Sequence, residues 1–545
     1  MSRLTSQIPA SPGTSACLAI ALVTMAIAAA QADDNCSAIA AVEGFYTEGW
    51  GYDLGNQRYQ SRTTIDQHNV ERLALKWTFA LDGGMSPHSY PLVSNDTIFV
   101  GMQSGKLQAL DRANGCVRWT YDASSEIRTA VTHGTLPDDV GGETYLFVGT
   151  ADGRTHAVNA GTGGAAWVTD VRDHSMAMLT GSAAYHDGRL YVPVSSSELV
   201  IAILPWYGCC TFRGSLVALD AGSGELLWRT HTVLKQPQVT GSHFFFVQRH
   251  GPSGAPVWSA PTLDPSRGLI YIGTGENYSS PATTTSDSIV AMDLQTGVVR
   301  WVQQYTSGDA FNVACAVRGH PNCPEENGPD LDFGAPPILT HMPDGGAILL
   351  AGQKSGGIYA LRPDTGERIW ERYFGRGGLL GGVHWGMAVN ADAGLLFAPI
   401  NDMQLFYAIS EGDSAPGLYA LDIGTGELRW TTSVERPCEK REQCHPGLSA
   451  AIVATPDLVF AGALDGFIRA YAADTGAVVW RFDTSREFDA TDGSRAVGGT
   501  IDVHGPMIAG DMMFIQSGYA RQSLRGGNAL LAFQVKAFQA KEPGA

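Results

Sequence analysis

The stretch Val217–Trp228, VALDAGSGELLW, decides the fold. It joins an apolar run, a turn led by Asp and centred on Gly, and a second strand closed by Trp. Alternating apolar residues mark a half-buried strand. In the turn, the Asp side chain bonds its own backbone and Gly supplies the positive φ. The phrase returns as QALDRANGCVRW (Trp119), HAVNAGTGGAAW (Trp167), VAMDLQTGVVRW (Trp301), YALRPDTGERIW (Trp370), YALDIGTGELRW (Trp430) and RAYAADTGAVVW (Trp480). An eighth Trp, Trp77, closes the strand LALKW without a preceding turn. Most turns also follow a further strand ending in a small residue, as in IFVGMQSG, YLFVGTADG, LIYIGTGEN and LVFAGALDG. Each unit therefore reads as a short antiparallel meander.

A repeat of roughly 40–50 residues means a propeller or a solenoid. The expectation is an all-β, eight-bladed propeller of four-stranded antiparallel blades. Radial repetition leaves only short, protected edges. The closing Trps are expected to pack between neighbouring blades. The C-terminal strands MMFIQSG and NALLAF lack a Trp, and Trp77 lacks their partners, so the two chain ends should complete one blade and close the ring. Intervals between successive Trps are 42, 48, 61, 73, 69, 60 and 50 residues. The long intervals carry insertions, which gather on the binding face of repeat proteins. Function is therefore sought in the blades ending at Trp228, Trp301, Trp370 and Trp430.

Composition agrees with this reading. The chain has 545 residues, only 17% charged, with 65 glycines and scarcely any helical periodicity. A formal net charge of −18 argues against nucleic-acid binding, which needs a basic stripe. Residues 1–32 read as a secretory signal peptide: Arg3, an apolar run from about Ala16 to Ala30, then Ala30-Gln31-Ala32 as cleavage site. The segment is too short for a membrane span, so residues 33–545 are expected to be a single periplasmic propeller domain. Once Cys17 leaves with the signal, eight cysteines remain in an oxidising compartment. Cys315/Cys323 and Cys438/Cys444 read as loop staples, and Cys36 is left to pair with Cys116. Cys209 and Cys210 are adjacent and either bond to each other or to other loops. No CxxCH haem motif is present.

The segment GWGYDLGNQRYQSRTTIDQHNVERLALKW (Gly49–Trp77), followed by Trp-closed blades, resembles the opening of the pyrroloquinoline quinone (PQQ)-dependent alcohol dehydrogenases. Within that family, CCTFRGSLVALDAGSG, GTGENYSSPATTTSDSIVAMD and NCPEENGPDLDFG are most similar to the polyvinyl-alcohol-oxidising branch. The repeats alone are shared with non-enzymatic envelope-assembly propellers, so the site residues must carry any catalytic reading.

The resemblance implies a Ca²⁺ ion held by carboxylate and amide oxygens, the ligands a hard cation prefers. It places Glu198, in SSSEL, as the first metal ligand. GTGEN stands where the family has GTGNP, which leaves Glu276 or Asn277 as the second. Thr180 and Ser195 match hydroxyls that bind PQQ carboxylates. Trp258, outside the repeat phrase, matches the Trp on which PQQ stacks, and a planar quinone needs an aromatic face. Lys354, in GQKSGGIYAL, matches a basic residue beside the quinone carbonyls, where a cation stabilises developing negative charge. His384 and Trp385 fall at a further PQQ contact, though the residue type differs. An ungapped comparison sets Asn312 at the position of the family's catalytic base. Treating Cys315–Pro329 as an insertion gives Asp332 instead, with Asp330 as an additional metal ligand or a solvated turn residue. Cys209 and Cys210 match a vicinal disulfide that covers PQQ in some members, but from a later blade. Arg128 and His133 stand on the face left uncovered.

The implied activity is oxidation of a secondary alcohol, with Asp332 as base and a separate cytochrome c as electron acceptor. The loops Ala202–Tyr207, Cys315–Pro329 and Gln404–Gly417 are expected to rim the entrance. Two rival expectations stand: a non-catalytic envelope propeller, and a quinoprotein acting on another alcohol, a sugar or an aldehyde.

Overall fold

In the computed structural model, residues 36, 39 and 42–537 are described, apart from 137–141, 245, 404–413, 435–437, 439–440 and 521–523. The expected signal peptide and most of the 404–417 loop lie outside the described residues. Eight antiparallel sheets of the propeller type are present. In each, the strand carrying the closing Trp is outermost. The blade ending at Trp119 is representative: Leu92–Val93, Thr97–Gly101, Lys106–Asp111 and Val117–Asp122 pair in sequence order. The Trp228 blade departs from this form, because its inner strand is split into Ala177–Met178 and Ala184–His186, both pairing with Arg189–Ser196. The ring closes as expected. Leu73–Ala80, which carries Trp77, pairs with the C-terminal strand Ala529–Val535 and becomes the outer strand of their shared blade.

One contact is repeated around the ring. Trp77, Trp119, Trp167, Trp228, Trp301, Trp370 and Trp430 each lie beneath the turn glycine of the following blade: Gly115, Gly163, Gly224, Gly297, Gly366, Gly426 and Gly476. A Cβ on Gly224 would sit 2.7 Å from the Trp167 ring, and its φ of +73° is itself costly for any side chain. The motif's Asp and its Gly thus shape a turn that fits one indole. The indole N–H then donates across the blade boundary: Trp119 to Ala160 O at 3.1 Å, Trp370 to Ile423 O at 2.9 Å, Trp430 to Ala473 O at 3.0 Å. Trp480 has no turn to follow and donates instead to Leu73 O of the closing strand, at 3.1 Å. Trp228 is the exception: the Tyr191 hydroxyl already donates to Leu294 O, and the Trp228 N–H has no partner among the described residues.

The N-terminal segment laces the ring. Its backbone bonds inner strands in turn: Leu54 O takes Leu263 N, Gly55 O takes Leu339 N, Gln57 O takes Val389 N, and Arg58 O takes Ala454 N. Arg58 is fully buried and donates to the carbonyls of Ile452, Trp50 and His504. His504 Nδ1 accepts from Trp50 Nε1 at 3.0 Å, which requires a neutral ring. All four disulfides are present: Cys36–Cys116, Cys209–Cys210, Cys315–Cys323 and Cys438–Cys444.

Two outcomes are expected. Trp430→Phe leaves Ala473 O unpaired and should cost about 1–3 kcal/mol, read as a lower urea midpoint. Trp228→Phe should cost clearly less, because no bond is lost. Burial also lowers His504 to about 3 and His156 to about 4. Unfolding would let both protonate below their ordinary value of about 6.5. The unfolded chain therefore binds more protons, so this stabilisation is complete above pH 6.5 and declines as pH falls toward 4. The urea midpoint should drop between pH 7 and pH 5, with a shallower drop in His504→Gln.

Candidate functional site

A cavity of about 450 Å³ opens where four consecutive blades, those of Trp228, Trp301, Trp370 and Trp430, bring their loops together. This is within the size range of small-molecule sites. From the Trp228 blade come Thr180, just past the first inner strand, and Ser195–Ser197 at the end of Arg189–Ser196. The Thr180 and Ser195 hydroxyls bond at 2.7 Å. From the Trp301 blade come Trp258 and Glu276; from the Trp370 blade, Asp330, Asp332 and Lys354; from the Trp430 blade, His384 and Trp385. Arg128 and Tyr519 complete the wall.

The floor is a buried ionic cluster. Lys354 Nζ donates to Asp330 Oδ1 at 2.8 Å and to Asp332 Oδ2 at 2.9 Å. Asp332 Oδ2 also accepts from Trp258 Nε1 at 3.0 Å, and Asp332 Oδ1 accepts from the Glu276 backbone N–H at 3.0 Å. Oxygens of Glu276, Asp330 and Asp332 lie within 4.8 Å of one another. Burial alone would raise all three carboxyls, but Lys354 and the Glu276 contacts hold Asp332 below its ordinary value. Burial, followed by the charges of Asp332 and Asp330, pushes Glu276 well above the carboxylate range. Burial would lower Lys354, but the surrounding carboxylates outweigh it and drive the ammonium up. Burial raises Asp330 as well, against the pull of Lys354. Three carboxyls thus face one ammonium, and the cluster relieves the excess negative charge by holding a proton on Glu276.

Trp258 is the cavity's aromatic surface. Its ring packs edge-on against Trp385 at 5.3 Å and His384 at 6.0 Å. Gly334 lies so close to the indole that any Cβ there would overlap it. His384 Nδ1 bonds Ser449 Oγ at 2.8 Å, and burial together with Lys354 lowers the ring to about 3, which keeps it neutral.

Other expected site residues lie apart from this cluster. The Glu198 carboxylate accepts from Tyr207 OH, Thr211 N and Phe212 N at 2.8, 2.9 and 2.8 Å, and is not in the three-carboxylate group. Asn277 donates to Ser253 O and accepts from Thr283 N, so its carboxamide is fully engaged away from the cavity. Asn312 caps the turn at Ala314 and donates to Tyr278 O and Asn322 O. Of the two positions weighed for the base, only Asp332 lines the cavity. Cys209–Cys210 packs with Phe212 and Tyr278, and Cys209 borders a separate cavity of about 270 Å³. His133 stacks on Phe45 at 3.8 Å and bonds Thr47 O, outside the site.

Two contributors escaped the sequence reading. Tyr278 lines the cavity, and Asp309 accepts from the backbone N–H groups of Asp330 and Leu331 at 3.2 and 2.9 Å, which shapes the loop presenting both aspartates. Asp309 sits in SGDAF, which reads as an ordinary turn, so only the fold reveals its role.

Residues 48–321 match the family model described as "Glucose/ethanol/alcohol dehydrogenase, beta-propeller domain" for PQQ. Residues 414–536 match that of the outer membrane protein assembly factor BamB. The chain is 40% identical over 499 residues to a polyvinylalcohol dehydrogenase from Pseudomonas sp, covering 89% of this chain and 76% of that one. A polyvinylalcohol dehydrogenase from Sphingopyxis sp. (strain 113P3) is 39% identical with the same coverage. Among solved structures, a quinohemoprotein alcohol dehydrogenase from Pseudomonas putida HK5 superposes with a TM-score of 0.69 at 20% identity, over 92% of this chain and 82% of that one. That likeness shows the fold. The chain belongs to the PQQ-dependent alcohol dehydrogenase β-propeller family.

Removing the lysine from the cluster has a definite expected cost. Lys354→Met strands Asp330 and Asp332 as buried, unpaired carboxyls. It should destabilise the fold by about 3–5 kcal/mol, read in urea unfolding at pH 7, with part of the loss recovered at pH 4 as the carboxyls protonate.

Proposed function

We propose that this chain oxidises secondary alcohol groups with bound PQQ and Ca²⁺, acts on polyvinyl alcohol, and passes electrons to a separate cytochrome c. The observation that carries the proposal is the cluster of Glu276, Asp330, Asp332 and Lys354 directly beside the exposed face of Trp258 in one cavity. The substrate assignment is supported by 40% identity to a polyvinylalcohol dehydrogenase over most of the chain.

The residues present fit both groups. Three carboxyls face one ammonium, with a displaceable proton on Glu276, and an all-oxygen donor set suits a hard cation such as Ca²⁺. Glu276, Asp330 and Asp332 would hold the ion. Trp258 offers an aromatic face, held flat against movement by Gly334 and Trp385. The paired hydroxyls of Thr180 and Ser195 and the guanidinium of Arg128 suit the carboxylates of a polyanionic quinone. When bound, PQQ supplies the two-electron sink and Ca²⁺ the Lewis acidity. Asp332 remains ionised through Lys354 and takes the substrate's hydroxyl proton at its carboxylate. Lys354 holds that carboxylate in place. Neutral His384 and Trp385 wall the cavity and exclude water.

Four disulfides among the described residues belong to an oxidising, extracytoplasmic compartment. Among the described residues, no helix is long and apolar enough to cross a membrane. The proposal places the mature chain in the periplasm after removal of residues 1–32.

The decisive experiment is reconstitution with PQQ and Ca²⁺, followed by dye-linked oxidation of secondary alcohols. Asp332→Asn should retain PQQ by absorbance while kcat falls by about 10²–10⁴; wild-type protein that takes up no PQQ would overturn the proposal. Ca²⁺ uptake should also displace a proton from Glu276, so affinity should weaken as pH falls. Calorimetry in buffers of different ionisation enthalpy would show this, and Glu276→Gln should diminish the proton release, Asp330 being raised as well.

A further inference from the structure

Three insertions meet at one buried side chain, Asn322, which borders the separate cavity of about 270 Å³. Asn322, 4% exposed, donates from Nδ2 to the carbonyls of Ala202, Leu204 and Tyr207 at 3.0, 3.1 and 3.0 Å. Its Oδ1 bonds His243 Nε2 at 2.9 Å. It thereby ties together the loop following the helix Glu198–Ile201, the loop closed by Cys315–Cys323, and the hairpin Gln238–His243/Val247–Gly251. His320 Nε2 adds a bond to Ile203 O at 3.0 Å, and the Tyr207 hydroxyl donates to Glu198.

These well-anchored segments expose large apolar side chains. Trp206 is 70% exposed, Val200 54%, Val317 50% and Phe246 81%. A rigid loop gains nothing in stability by presenting an indole to water, so such a patch marks a binding surface. Val200 joins these segments to the active cavity, lining it while about half its surface faces solvent. The patch's central segment is uncharged: Val200–Phe212 contains no Asp, Glu, Lys or Arg, in a chain of net charge −18, while Arg318 and Arg249 stand at its edges in sequence. An anionic lipid surface or a charged protein partner would call for complementary charge. An uncharged occupant with an aliphatic spine does not.

We propose that Trp206, with Val200, Val317 and Phe246, forms a platform on which the hydrocarbon spine of a polymeric alcohol lies as one of its carbinol groups enters the cavity. The proposal rests on the alcohol-oxidising reading of that cavity and adds a chain-binding subsite outside it. Indole is suited to this role, offering a flat apolar face with little conformational entropy to lose. The platform explains why the insertions are stapled and hydrogen-bonded although most of their residues lie outside the reaction cavity.

The test compares polyvinyl alcohol with 2,4-pentanediol, a fragment with the same carbinol chemistry but without the polymer's long spine. In reconstituted enzyme, Trp206→Ala should raise KM for the polymer roughly tenfold with kcat unchanged, and leave both constants for the diol unaltered. Trp206→Phe should restore most of the loss. Calorimetric binding of polyvinyl alcohol to the cofactor-free protein should weaken by the same factor. Unchanged polymer kinetics and binding would overturn the platform, and so would an equal loss with both substrates. Wild-type protein inert toward both alcohols would count against the oxidation reading instead, and calorimetry would still decide whether Trp206 binds the polymer.

Discussion

The fit of an indole beneath a turn glycine is the constraint on which the rest of the molecule depends. Each blade's outer strand carries a Trp that packs toward the next blade rather than into its own sheet. The ring is buried only when the next blade's turn, with Gly at positive φ, closes over it. The contact is directional, from one blade to the next, so it propagates around the ring and ends where Trp480 meets the N-terminal strand at Leu73. Because stability resides in blade boundaries, the opposite ends of the same blades are free to vary. The insertions are placed there.

That freedom explains the chemistry of the cavity. No blade could hold Asp330, Asp332, Glu276 and Lys354 alone, since three carboxyls and an ammonium on one strand would have nothing apolar to pack against. The cluster is divided between the Trp301 and Trp370 blades and assembled by the rigid boundary between them. Its members then satisfy one another: Lys354 bridges two aspartates, Trp258 and the Glu276 backbone cover Asp332, and Asp309 fixes the aspartate loop from beneath. The proton that burial and the two aspartates keep on Glu276 is what a bound cation would displace.

Much of this was legible in the residues. The Trp repeat gave eight blades and the closing strand, and the long intervals between Trp167 and Trp430 named the four blades that supply most of the cavity wall. Trp258 and Trp385 stood out because the repeat had no use for them. The reading of individual ligands was less complete. Glu198 and Asn277 stand at positions that resemble a metal site, yet each spends its side chain on neighbouring backbone. Asp309 and Asn322 gave no sign, because a buried polar residue that organises a loop looks in sequence like any turn residue.

The sequence by itself determined what depends on local period and turn chemistry: the strands, the Asp-Gly turns, the number of blades and the pairing of the two chain ends. Only the tertiary structure decided which polar side chains face the cavity and which are consumed holding insertions in place. The physical reason is that a carboxylate or carboxamide bonds whichever donors the fold brings within about 3 Å. In the inserted loops the partners come from segments tens to more than a hundred residues away, as when Asn322 Nδ2 donates back to the Ala202 carbonyl.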